Sequence, residues 1–347
     1  MLAAVFQKPG QIEMMEVDRP EIGPDEVLVK VGANTICGTD VRIFRGQKTK
    51  GVSLPTVLGH EMAGHVEEVG QNVRGYEVGM PVAMAPVIAC HRCFYCQHDM
   101  ENICPYQRIV GYDVRGGMSE YMRIPAAAVA AGNLFVAQKD IPSEYLALAE
   151  PLACCVNGHH RSRIQLNSTV LIMGAGPIGL FHLQLALLAG ARTVMVSEPS
   201  APRRAMATTF GAHITVDPTT EDLPALILEA TEGLGMDSII ICIGVPSLVN
   251  DALNMARMGG RINIFAGLAA KGWAEVEANL IHYKELEVTG TANSRRADYR
   301  SALQLIESGR IKVDTMVTDR FPLRSVHAAL DKAASGEGIK IAVMPSI

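Results

Sequence analysis

The chain has 347 residues, 48% hydrophobic and 19% charged, so it is neither disordered nor fibrous and is too long for one compact core. Its net charge of −5 argues against nucleic acid as the main partner. Eight cysteines and no secretory leader point to a reducing, cytosolic setting.

The opening MLAAVFQKPGQIEMMEV reads as a strand and a turn, with no basic segment leading into a long apolar run. Residues 26–31, 62–69, 80–84 and 120–124 are short strands split by Gly and Pro turns, which predicts an antiparallel, partly open barrel over about the first 150 residues. Within it Cys37 sits in ICGTD, His60 and Glu61 sit in LGHE, and Glu150 follows in ALAEPL. Thiolate, imidazole and carboxylate are the ligand types of a catalytic zinc, but the spacing does not join them. Taken singly, Cys37 reads equally as a small buried hydrophobe and His60 as a structural histidine.

Between these motifs Cys90, Cys93, Cys96 and Cys104 read C-x2-C-x2-C-x7-C. Four thiolates within fifteen residues can close a tetrahedral shell around one Zn²⁺, and the lobe between them is too short and polar to hold itself. A pair of disulfides and an iron–sulfur cluster are the other readings. The first suits a secreted chain, and the second expects x3 rather than x7 before the Cys-Pro pair.

From residue 169 the pattern changes. Residues 170–191 carry no formal charge and are long enough for a bilayer, yet Gly174, Gly176, Pro177 and Gly179 break the run. It reads instead as a strand (169–173), the turn G-A-G-P-I-G with Ile178 inside it, and a helix (180–188). In such a dinucleotide-binding turn Gly174 permits the sharp bend, Gly176 lets backbone approach a pyrophosphate, and Gly179 lets helix and strand pack closely. A second strand, 193–197, ends at Glu198, placed to accept hydrogen bonds from a ribose 2′-hydroxyl and to repel a 2′-phosphate. That favours NAD over NADP, although Arg203 and Arg204 follow closely and an arginine there can serve a 2′-phosphate.

Strands at 213–217, 237–244, 260–267 and 286–291 alternate with helices at 202–211, 223–231 and 247–258, which predicts a doubly wound parallel sheet of six strands. Ile243 and Gly267, at the ends of the fourth and fifth strands, would face the nicotinamide. A helix at 298–309 and a strand-like stretch at 312–321 return to the first domain, so the parallel-sheet domain is inserted within it.

In order along nearly the whole chain, ICGTD, LGHEMAGHVEEVG, the cysteine lobe, AEPLA and GAGPIG resemble the zinc-containing medium-chain alcohol/polyol dehydrogenases, most closely the sorbitol, threonine and sugar-acid dehydrogenase branch. The resemblance implies a GroES-like catalytic domain (1–157 and 295–347, lobe about 89–105) and a Rossmann NAD-binding domain (158–294). It implies a catalytic zinc held by Cys37, His60 and Glu61, with Glu150 as fourth ligand or holding the zinc-bound water. A second, structural zinc would sit in the lobe, making two per chain, and the protein would be a homodimer or homotetramer. Thr39 would accept the substrate proton once zinc has acidified the hydroxyl and hydride passes to NAD.

Many relatives carry a relay histidine where this chain has Arg42, and an arginine does not shuttle protons near neutral pH. Arg42, Arg115, Arg295 and Arg296 are candidates for binding a carboxylate or phosphate, or are surface charges. The implied substrate is a small molecule, a secondary alcohol on a polyol, sugar or sugar acid, with no nucleic acid or membrane partner. A hydroxy-amino acid such as threonine is the alternative. Readings outside that class are a catalytically inactive nucleotide-binding relative and an iron–sulfur electron carrier.

Overall fold

The computed structural model describes residues 1–268 and 272–346. The chain folds as two units, one formed by residues 1–153 with 293–347 and the other by residues 154–292. No helix among the described residues is long and apolar enough to cross a membrane. The uncharged stretch that could have spanned one is the strand Thr169–Met173, the turn and the helix Pro177–Leu188.

In the first unit β-branched and apolar residues run Val27–Thr35, Glu61–Val69, Pro81–Met84, Tyr121–Ile124 and Leu134–Val136, which pair antiparallel in one seven-stranded sheet. A smaller sheet joins Leu2–Lys8 to Gln11–Glu16 and Thr56–Val57. Two apolar cores result. One gathers Val27, Val29, Met62, Met84 and Met122, and the other Phe6, Ile36, Ile43, Val326 and Leu330.

The tail goes beyond the elements expected above. After Val317–Pro322 come a helix, Val326–Ser335, with Val326, Ala329, Leu330 and Ala333 at helical spacing on one core, and a strand, Lys340–Met344. The last strand lies inside the sheet, parallel to Val317–Pro322 and antiparallel to Val27–Thr35, so this mostly antiparallel sheet contains one parallel pair. The short helix Gly38–Phe44 and the fourteen-residue helix Ala149–Ser162 likewise go beyond the elements expected from the sequence.

Register positions the site. Thr35 pairs with Glu61, and Ala342 pairs with Thr35. Cys37, two residues past one strand end, is thereby brought opposite His60, one residue before the next strand begins.

The second unit is a six-stranded, all-parallel sheet. Its order is Ile214–Val216, Thr193–Ser197, Thr169–Met173, Met236–Ile241, Ala256–Ile264, Glu287–Gly290, the 3-2-1-4-5-6 order of doubly wound dinucleotide folds. Thr169–Met173 is buried along its whole length, as a strand with both faces covered must be. Leu171, Ile239, Ile241, Leu253 and Ile262 anchor its core.

Candidate metal and dinucleotide sites

Cys37, His60 and Glu61 each offer a ligand atom within 4.8 Å of the others. Cys37 is the N-cap of Gly38–Phe44, and its backbone N–H donates to Asp40 Oδ2 at 2.9 Å. The other carboxylate oxygen, Oδ1, lies 3.3 Å from His60 Nδ1, and neither of these two atoms makes a hydrogen bond. Burial by itself would depress the His60 imidazole, but Asp40, Tyr112 and Cys37 outweigh it and hold the ring well above its usual pKa. A dication among the three ligands would reverse that balance and expel the proton.

Glu61 is fully buried, and Lys340 Nζ donates to its Oε1 at 2.7 Å and to the Ile36 carbonyl at 3.1 Å. Thr35 Oγ1 closes on the other carboxylate oxygen. Burial disfavours the Lys340 ammonium, yet Glu61 and Cys37 keep its pKa raised. Two anionic donors and a neutral imidazole match the charge and ligand preferences of Zn²⁺, so the residues fit that ion. Glu150, buried in the first turn of Ala149–Ser162, lies outside this group of three and acts electrostatically on Tyr112 and Lys340. Tyr112 packs edge-on against His60 with ring centroids 5.4 Å apart, and burial holds its hydroxyl protonated. Thr39, two residues after Cys37, is half-buried. Asp40, Tyr112 and Lys340 carry no sequence signal of their own beyond Asp40 standing in ICGTD.

The lobe is a second cluster. Cys93 Sγ lies 3.5 Å from Cys96 Sγ and 3.8 Å from Cys104 Sγ, and Cys90 lies 4.0 Å from Cys96. All four thiols are free, which removes the disulfide reading. Zn–S bonds of about 2.3 Å make a tetrahedron with edges of about 3.8 Å, so one ion fits; a multi-iron cluster would spread the thiolates, each capping a different iron. Left to themselves the thiols cannot ionise together. Backbone N–H of Arg92 draws Cys90 down to about 6, while burial and Cys93 push Cys96 up to about 12. A shared dication would ionise all four.

The segment that carries Arg295 and Arg296 reaches the lobe. Arg296 pairs with Glu101 at 2.9 Å, Asn293 donates to the Asn102 carbonyl at 3.0 Å, and Arg295 pairs with Asp298 at 2.7 Å. Both arginines are engaged with carboxylates. Arg115 is exposed.

In the second unit Gly174 turns at φ +106°, and a Cβ on Gly179 would fall 1.9 Å from the Gly174 carbonyl oxygen. Gly176 is the N-cap with Pro177 as the first helical residue and Ile178 beside it. A Cβ on Gly176 would meet nothing nearer than Arg203 Nη1 at 4.0 Å, so packing does not require that glycine and open space lies over the helix N-terminus. Arg203 Nε is buried without a partner. Glu198 ends its strand with Oε2 accepting from Ala175 N–H at 2.8 Å and Oε1 from Ser200 N–H at 3.0 Å. Arg204 is tied to Asp217 at 3.1 Å and to the Glu198 carbonyl at 2.7 Å.

Gly174, Glu198 and Ile243, at the carboxyl ends of their strands, line part of a cavity of about 1250 Å³ that also reaches Gly235 and Ala256 where strands begin, and Ile243 is 44% exposed. Around Gly267 the space is open. These residues fit a dinucleotide.

Residues 23–133 match the alcohol dehydrogenase GroES-like domain, and residues 177–308 match the zinc-binding dehydrogenase domain. The chain is 34% identical to D-arabitol-phosphate dehydrogenase of Enterococcus avium, covering 97% of this chain and 95% of that one. It is 36% identical to L-threonine 3-dehydrogenase of Thermococcus kodakarensis, covering 92% and 91%. A zinc-binding dehydrogenase of Sinorhizobium meliloti, solved bound to NADP, superposes with a TM-score of 0.93 at 35% identity over 99% of both chains. The two domain matches and a third of the residues shared along the whole length place this chain in the zinc-binding alcohol dehydrogenase family of oxidoreductases.

Proposed function

We propose that the protein oxidises a secondary alcohol on a polyol, sugar or sugar acid, passing hydride to NAD, with one catalytic and one structural zinc per chain. The observation that carries this reading is the convergence of Cys37, His60 and Glu61 within 4.8 Å, with Thr39 two residues after Cys37. Zinc supplies a Lewis acid to the substrate oxygen and nicotinamide supplies the hydride acceptor. The chain's own residues do the rest. Asp40 holds the Cys37 backbone and faces His60, fixing two ligands at once. Lys340 and Thr35 orient Glu61, and we assign Glu150 as an outer, fourth ligand. Thr39 takes the substrate proton.

Glu198 supports NAD, since a carboxylate just past the second strand suits a ribose 2′-hydroxyl and repels a 2′-phosphate, while Arg204 is already engaged. Arg203 then faces the pyrophosphate. The Sinorhizobium protein holds NADP, so both cofactors belong in the assay. We read the assembly as a homodimer or homotetramer, which sedimentation tests. A hydroxy-amino acid is the second reading, favoured by the similarity to a threonine dehydrogenase.

The deciding experiment is Cys37→Ser, expected to abolish turnover and remove one zinc per chain while preserving the circular dichroism spectrum. Full turnover in that variant would sink the assignment. NADH and NADPH formation against polyols, sugar acids and threonine separates the two substrate readings.

A further inference from the structure

Beside the proposed metal centre, in the same unit, lies an open and mainly polar pocket of about 520 Å³, of whose lining the chemistry above uses only Thr39. It is lined by Arg42, Lys48 and Lys50, with Thr39, Gln107 and Tyr112. Arg42 stands in the last turn of Gly38–Phe44. Its carbonyl accepts N–H bonds from Gln47 at 2.8 Å and Lys48 at 3.2 Å, so the chain hooks back and returns Lys48 to the side of Arg42. Lys48 Nζ then stands 5.0 Å from the centroid of the Tyr112 ring, whose edge meets His60. The Tyr112 ring thus touches both Lys48 and the proposed metal ligand His60.

Three cationic side chains converge on this one pocket. Among the described residues none of Arg42, Lys48 and Lys50 forms an ion pair, although the protein as a whole is acidic. Burial lowers the Lys48 ammonium pKa, and Arg42 and Lys50 lower it further. Three cations left to repel one another in a half-open pocket lack an anion. Gln107 adds a buried side-chain oxygen with no hydrogen-bond partner, suited to accept from a substrate hydroxyl.

We propose that Arg42, Lys48 and Lys50 form a subsite for the phosphate of a phosphorylated polyol, whose hydroxyl is oxidised at the adjacent metal. This rests on the alcohol-oxidising reading above and narrows its substrate class. A phosphate monoester is close to dianionic at neutral pH, and guanidinium grips two of its oxygens at once while ammonium groups act as point charges. A sugar-acid carboxylate carries half that charge and leaves the third cation unmatched. The phosphate ester bond is untouched: the carbinol carbon loses a hydride to NAD and its hydroxyl loses a proton, giving a keto phosphate and NADH. Arg42, where relatives place a relay histidine, serves here to bind rather than to move protons.

The test uses zinc-loaded full-length protein with D-arabitol phosphate and D-sorbitol 6-phosphate, set against D-arabitol, D-sorbitol and D-gluconate. The phosphate esters are expected to exceed their parent polyols in kcat/KM by about 100-fold. Arg42→Ala and Lys48→Ala should each shrink that ratio about tenfold, chiefly through KM, while Lys48→Arg retains it. Calorimetric titration of the same compounds reads binding without turnover. Equal kcat/KM for ester and parent, or a preference for gluconate, overturns the subsite while leaving a polyol dehydrogenase. Arg42-dependent binding of the ester without oxidation of any compound upholds the subsite and overturns the alcohol-oxidising reading.

Discussion

Glu198 shows how a side chain proposed for cofactor recognition also serves the fold. Its carboxylate accepts N–H bonds from Ala175 and Ser200, so it clips the glycine turn to the next loop and leaves its remaining lone pairs toward the cavity. Glu198→Ala is expected to lower the NAD:NADP ratio of kcat/KM about tenfold, from loss of the ribose acceptor and of its repulsion toward a 2′-phosphate. An unchanged ratio would mean that Glu198 does not read the ribose. His182 illustrates the opposite case, a titratable group with no function assigned. It is fully buried against Phe265, and neither ring nitrogen has a hydrogen-bond partner. Burial, helped by His159, depresses it to about 3 from an ordinary 6.5. Because the unfolded imidazole then binds protons first, stability present above pH 6.5 is lost as the pH falls towards 3. At pH 5 this amounts to about 2 kcal/mol. His182→Leu should therefore flatten the fall in urea midpoint between pH 7 and pH 5, and an undiminished fall would assign it to other groups.

At the scale of elements, the cysteine lobe is the least self-sufficient part. Its helix Phe94–Gln97 has four residues and buries none of them. Its outward contacts are ion pairs and single hydrogen bonds such as Arg296 to Glu101. Cys104→Ser is expected to release one zinc per chain, to open residues 89–105 to limited proteolysis and to lower Tm, while Cys37→Ser leaves the lobe protected. Retention of two zincs in Cys104→Ser would refute a metal centre there. The glycine-turn helix is the contrasting element: it starts on Pro177, is buried along most of its length and needs no metal.

At the scale of the molecule, the first unit is closed by residues distant in sequence. Lys340–Met344 lies inside its sheet, and Lys340 reaches Glu61 across 279 residues. Truncation after residue 322 removes an interior strand, the buried face of Val326–Ser335 and the counter-charge of Glu61 together. Such a chain is expected to be insoluble or to bind no catalytic zinc; a soluble, zinc-loaded truncation would show that the tail is dispensable. The sequence by itself determined whatever is written in local periodicity and spacing. The parallel strands read directly because they are runs of apolar residues, the nucleotide turn because its glycines fall at a fixed local spacing between strand and helix, and the lobe because its four cysteines lie within fifteen residues. Only the tertiary structure decided the company these residues keep. The antiparallel register of Thr35 with Glu61 brings Cys37 to His60, the tail supplies Lys340, and the hook after Phe44 gathers Arg42, Lys48 and Lys50 beside Tyr112. Charge partners such as Glu101 for Arg296 likewise follow from folding, because pairing energies depend on separation in space and carry no trace in sequence distance.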